Sequence, residues 1–210
     1  MKKIWFFVEG DSEENFIKNL IRKKYAGSIL LENDLSAFVD MDLSSFTYHL
    51  SYCENCHSVD KIPHRINELL HFIEKSQSSK LIVVCDLERL PCFTEGRDKL
   101  NSIIEESLSR DDILYAFFNP MIEVGYWECE EVIQRVIQIE HRNKFDSDIS
   151  TPILLDENIE RPLHALKKSF QKYKVKYRES KFSEMFFPRV DFNACQNDVL
   201  LRIISYLDNI

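Results

Sequence analysis

The chain has 210 residues, 44% of them hydrophobic, enough for one full core or for one domain with a small appendage. No apolar run approaches the roughly 18 residues of a membrane span, and no apolar leader follows Lys2 and Lys3 before Glu9, so a cytoplasmic protein without a membrane partner is expected. The formal charge of −8 excludes a uniformly basic nucleic-acid binder, although one segment departs from that balance.

In chain order, the first strong signal is Ile4–Val8, an aromatic and β-branched run too short for a helix core, which predicts a fully buried strand. Glu9 and Gly10 follow it. Gly10 permits a tight exit, and Asp11 with Glu14 has the spacing of a capping box for a helix carrying Phe16, Ile17, Leu20 and Ile21 on one face. Residues 28–31 and 37–39 read as a short hairpin or as a strand with an edge piece, and residues 41–61 as polar and irregular. A helix is expected from Pro63 to Lys75. Leu81–Cys85 is a second unbroken apolar run, the pattern of a strand buried on both faces in a parallel sheet, and it ends in Asp86-Leu87-Glu88. Further elements are expected as a helix over 95–109, a strand over 113–118, and helices over 124–139, 159–174 and 198–207. This order calls for an α/β protein with a mostly parallel four-stranded sheet flanked by helices, over residues 1–150, and a helical C-terminal extension over 151–210.

Two buried strands therefore each end in carboxylates. Parallel strands present their carboxyl ends on one edge, so Glu9 with Glu13, and Asp86 with Glu88, would converge if the strands are neighbours. In Asp86-Leu87-Glu88 the alternation of an extended backbone sends both acids to one side and Leu87 to the other. Carboxylates held close repel unless a cation neutralises them, and hard oxygen ligands select Mg²⁺ or Mn²⁺, ions suited to phosphoryl-transfer chemistry.

These residues resemble the TOPRIM domain. Val8-Glu9-Gly10 with Glu13 four residues after Glu9, and a later apolar strand ending in Asp86-Leu87-Glu88, are similar to the motifs of OLD-type nucleases and of short stand-alone TOPRIM-like bacterial proteins. Asn119-Pro120-Met121-Ile122-Glu123 and Tyr126-Trp127-Glu128 are similar to a proline-plus-aromatic-Glu segment of the short family. The resemblance covers roughly residues 3–135. It implies Glu9, Asp86 and Glu88 as metal ligands, Glu13 as a second-metal ligand or general base, and Glu128, then Glu123, as auxiliary acids. The implied activity is metal-dependent cleavage of DNA or RNA, as part of an anti-phage or toxin-like system. Glu88 departs from the pattern, since aspartate is usual there. No ATPase module is present, so an ATPase partner would be a separate chain; a homo-oligomer is left open. The alternative is a non-catalytic subunit whose TOPRIM-like fold serves assembly with such an ATPase.

Two other features stand out. Between Arg161 and Phe182 eight cations face the single acid Glu179, which leaves −15 for the remainder. Lys167, Lys168, Lys172, Lys174, Lys176 and Arg178, interleaved with Phe170, Tyr173, Tyr177 and Phe182, form the candidate nucleic-acid segment, either as a surface with stacking rings or as a helix whose apolar stripe packs inward. Cys53, Cys56 and His57 have the spacing of half a zinc site, but the remaining cysteines are not paired to complete it; free thiols are the expectation for all six.

Overall fold

A computed structural model describes residues 1–75, 79–87, 92–104, 108, 113–118, 122, 126–155 and 161–210. Five strands run parallel in one sheet: β1 (Lys3–Val8), β2 (Ile29–Glu32), β3 (His49–Asn55), β4 (Ser79–Asp86) and β5 (Ile113–Phe118), ordered β2-β3-β1-β4-β5. Around them lie α1 (Asp11–Lys24), α2 (Leu35–Asp40), α3 (Ile62–Lys75), α4 (Phe93–Asn101), α5 (Glu130–Phe145), α6 (Pro162–Lys172), α7 (Glu179–Phe186) and α8 (Asp198–Asp208).

All six residues of β1 are buried because the strand is central and covered on both faces. Alternate side chains enter different cores. Ile4, Phe6 and Val8 join Ile82, Val84, Ala116 and Phe118 under α1 and the C-terminal helices. Trp5 and Phe7 join Leu81, Val83, Tyr115 and Phe117 under α2, α3 and α4. The first core runs on without a break into Leu166, Phe170, Phe182, Phe186 and Ile203, so α6, α7 and α8 complete the cover of that face.

The structure corrects several expectations about local elements. The sheet has five strands rather than four, because β3 lies in the segment expected to be irregular. His49-Leu50-Ser51-Tyr52-Cys53-Glu54-Asn55 has no continuous apolar run; it becomes a strand by pairing with β1 on one side and β2 on the other. Residues 37–39 belong to a helix, not to a hairpin: Asp34 caps it, its side chain accepting from the Ala37 amide at 2.8 Å. The capping box is absent as well. Gly10 is the N-cap of α1, in an extended conformation, and Glu14 instead pairs with Lys18 and Asn55. The helix expected over 95–109 spans Phe93–Asn101, and within the segment expected to be helical over 124–139 the described residues run from helical Tyr126 through a 3₁₀ turn at Trp127–Cys129 into α5. The segment over 159–174 resolves into α6, and α7 was not anticipated.

Phe6 is fully buried in the central strand, whereas the Leu154 side chain is 63% exposed. Phe6→Ala should therefore lower unfolding free energy by about 3–5 kcal/mol and Leu154→Ala by no more than about 0.5 kcal/mol, as read by urea denaturation.

Candidate metal centre

Strands β1 and β4 are direct parallel neighbours, with Val8 opposite Val84. The ladder continues one residue further, where the Glu9 amide donates to the Val84 carbonyl at 3.1 Å. The Glu9 side chain then turns across the gap, and its Oε2 accepts from the Asp86 amide at 3.1 Å. Asp86 is held in turn: its Oδ1 accepts from the Ile122 amide at 2.8 Å, and the next amide, that of Leu87, donates to the Phe118 carbonyl at 2.8 Å. Charge-assisted bonds of this kind orient a carboxylate more firmly than solvent does.

Glu13 sits in the first turn of α1, 4% exposed, with Asp11 and Glu14 beside it. Its Oε2 folds back toward the main chain, so that a methyl group on Gly10 would lie 3.4 Å from it. The Cys85 thiol at the end of β4 is pushed up, by burial first and then by the negative charges of Glu9, Asp86 and Glu13.

Asn55, at the end of β3, supplies a contact that the sequence did not signal. Its Nδ2 donates to Asp11 Oδ1 at 3.0 Å and to Glu14 Oε2 at 2.9 Å, which ties the acidic first turn of α1 to the sheet edge. Glu54 on β3 is occupied elsewhere, accepting from Arg65 Nε at 2.7 Å and from Tyr52 Oη at 2.8 Å. Glu128 lies in the 3₁₀ turn, where Oε2 accepts from the Gln196 amide at 3.1 Å. It shares a small apolar cavity, about 30 Å³, with Ile122 and Phe118. Glu88 and Glu123 lie outside the described residues.

Among the described residues no three His, Cys, Asp or Glu side chains are arranged as a ready ion cage. Mg²⁺ does not require one, since it keeps several waters and is commonly held by one or two carboxylates together with substrate phosphates. Glu9 and Asp86, with all-oxygen donors locked by backbone amides, match that demand. Zinc at Cys53, Cys56 and His57 does not: Cys53 points into the core under α1 and Cys56 into the core on the opposite face of the sheet.

The basic segment divides by side-chain type. Phe170 and Phe182 are buried in an aromatic cluster with Tyr126 and Phe186, so these two rings do not form a stacking surface. Lys167, Lys168, Lys172, Lys174, Lys176 and Arg178 are exposed. Lys172 Nζ reaches the Leu154 carbonyl at 3.3 Å, while Arg178 lines a crevice with Lys181 and Glu140.

Among solved structures, the C-terminal region of the Burkholderia pseudomallei OLD protein superposes on this chain with a TM-score of 0.50, over 98% of this chain and 97% of that one, at 13% identity. The two share a fold. The likeness covers α6, α7 and α8 as well as the sheet, because it spans nearly the full length of both chains. No protein-family model matches the sequence, and no curated protein matches it significantly. No helix among the described residues is long and apolar enough to cross a membrane.

Burial sets thiol reactivity here. Burial pushes Cys56 up to about 12 from the ordinary 9, and Cys53 well above its ordinary value, whereas contact with Cys195, 3.7 Å between sulfurs, lowers Cys129. Alkylation at pH 8, followed by peptide mass mapping, should modify exposed Cys92 and half-exposed Cys129 and spare Cys53 and Cys56 until the protein unfolds. The same burial sets a sign for stability. Unfolded thiols ionise near 9 while Cys56 stays protonated, so its contribution is complete below pH 9 and is lost as pH rises toward 12.

Proposed function

We propose that this protein is a metal-dependent nuclease that cleaves phosphodiester bonds with Mg²⁺ or Mn²⁺ held at the carboxyl edge of β1 and β4. The observation that carries the reading is the interlock of Glu9 and Asp86, in which each carboxylate is fixed by a backbone amide of the neighbouring segment. Groups oriented before substrate arrives need no reorganisation when charge develops in the reaction. Glu9 and Asp86 would hold the ion, with Glu88 as a further ligand.

When bound, the metal supplies positive charge against a phosphate oxygen and lowers the pKa of a coordinated water. The protein's own part is positional. The Asp86 amide keeps Glu9 Oε2 turned toward β4, and the Ile122 amide keeps Asp86 from rotating away. Glu13, nearly enclosed beside Gly10, would act in this scheme as general base toward an attacking water or as a ligand of a second ion. Asn55 keeps Asp11 and Glu14 hydrogen-bonded at the rim. Glu128 serves as an auxiliary acid in this scheme. A DNA or RNA backbone is the substrate that suits such a site.

The alternative reading is a non-catalytic subunit that assembles with a separate ATPase. Calorimetric titration separates the two: the nuclease binds Mn²⁺ and loses that binding in Glu9→Gln and Asp86→Asn, while a scaffold shows no Mn²⁺ heat in any form. For the nuclease, Glu9→Gln or Asp86→Asn should reduce Mn²⁺-dependent nicking of plasmid or cleavage of labelled RNA at least 100-fold, with the circular dichroism spectrum unchanged. Cleavage that persists at the wild-type rate in both variants would sink the assignment.

A further inference from the structure

One patch of positive charge stands apart in this acidic protein. Lys144 at the end of α5, Lys167 and Gln171 on α6, and Lys174, Lys176 and Tyr177 in the connection to α7 line an open hollow of about 620 Å³. No carboxylate is among its lining residues within the described part of the chain, although the whole chain carries −8 overall. The neighbouring crevice differs, because there Glu140 neutralises Lys181 at 2.8 Å.

Tertiary packing builds this hollow. Lys144 lies outside the basic segment of the sequence and reaches it only because α5 passes the end of α6. Its Nζ donates to the Lys174 carbonyl at 2.6 Å, pinning the turn at which Lys174 adopts the left-handed φ of 59°. An ammonium has three donors, so Lys144 keeps two for a ligand. Four ammonium groups around one hollow repel each other. A single small anion compensates one or two of them, whereas a chain of regularly spaced phosphates compensates them all. The concave shape also suits a strand better than the flat plane of a lipid surface.

The hollow lies close to the carboxylate edge along the chain. Glu179, the first residue of α7, accepts from Ser12 Oγ at 3.2 Å, and Ser12 immediately precedes Glu13. Lys174 and Glu179 are five residues apart, a reach of at most about 18 Å. That distance corresponds to about five nucleotide steps of roughly 3.4 Å.

We infer that Lys144, Lys167, Lys174 and Lys176 form a docking surface for the phosphate backbone of a nucleic acid and direct it toward the acidic first turn of α1. The directing role rests on the nuclease reading; the docking role does not.

The test is fluorescence anisotropy with a labelled oligonucleotide of 20 nucleotides, single-stranded and duplex, in EDTA so that cleavage plays no part. Wild type should bind with affinity falling steeply between 50 and 200 mM salt. Replacing all four lysines with glutamine should weaken binding at 100 mM salt at least tenfold and reduce the log–log salt slope by about 3, because each neutralised phosphate adds about 0.7–0.9 to that slope. Lys167→Gln with Lys176→Gln leaves the Lys144–Lys174 hydrogen bond in place and should reduce the slope by about 1.5. A control that removes Lys61, Lys75 and Lys99, exposed on the α3 and α4 side, should leave the slope unchanged. Equal slopes for wild type and the quadruple variant would overturn the inference, as would an equal loss in the control or tighter binding to anionic phospholipid vesicles than to the oligonucleotide. Lysine-dependent binding by a protein that cuts nothing in Mn²⁺ would support the docking surface and overturn the nuclease reading.

Discussion

The parallel pairing of β1 with β4 is the constraint on which the rest of the structure depends, since it sets two strand ends side by side and leaves their acids facing the same solvent edge. Beyond Val8 the backbone ladder makes one more bond, to Val84, and then a side chain continues it: the Glu9 carboxylate takes the Asp86 amide that a longer strand would have paired. A strand end normally surrenders its last donors to water. Here one of them is bound to an ionised group, an interaction of about 1.5–3 kcal/mol that also decides where that group points.

Other elements act by supporting that junction. β3 lies on the far side of β1 and brings Asn55 to the acidic turn of α1, while β5 lies beyond β4 and delivers the Phe118 carbonyl to Leu87. The core beneath is dense in aromatic rings: Phe16 contacts Phe118, Phe187 and Phe192, so the helix that carries Glu13 is packed against both the sheet and the C-terminal segment. Asn15 of α1 donates to Ser183 of α7, and the buried ends of α6 and α7 close the same core. The helical last third is therefore a wall of the fold as well as the bearer of its basic surface. Acidic edge and basic hollow are joined by a few residues of chain, a separation of charge that a net value of −8 conceals.

Legibility in the sequence followed the physics of burial. Ile4–Val8 and Leu81–Cys85 were readable as strands because both of their faces are covered, and continuous apolar runs in short segments have few other uses. β3 was not readable, because it has neither a continuous apolar run nor a regular alternation of buried and exposed positions, and its neighbours, rather than its own composition, make it a strand. The helix Leu35–Asp40 was mistaken for strand since a single turn and a half carries too little periodicity to distinguish the two. Cys53 and Cys56 have the spacing of half a zinc site, but spacing alone does not show that they occupy opposite faces of the sheet.

By itself the sequence determined the class of the protein: an α/β sheet with buried parallel strands, a carboxylate at the end of two of them, and a basic segment near the C terminus. Those features depend on residues close together in the chain, where hydrophobic pattern and local backbone geometry leave little freedom. Tertiary structure alone decided that the two acid-bearing strands are neighbours, that Asn55 and Ile122 hold the edge, and that Lys144 joins lysines more than twenty residues away. Such contacts join distant parts of the chain, and only the packing of helices against both faces of the sheet selects which parts meet.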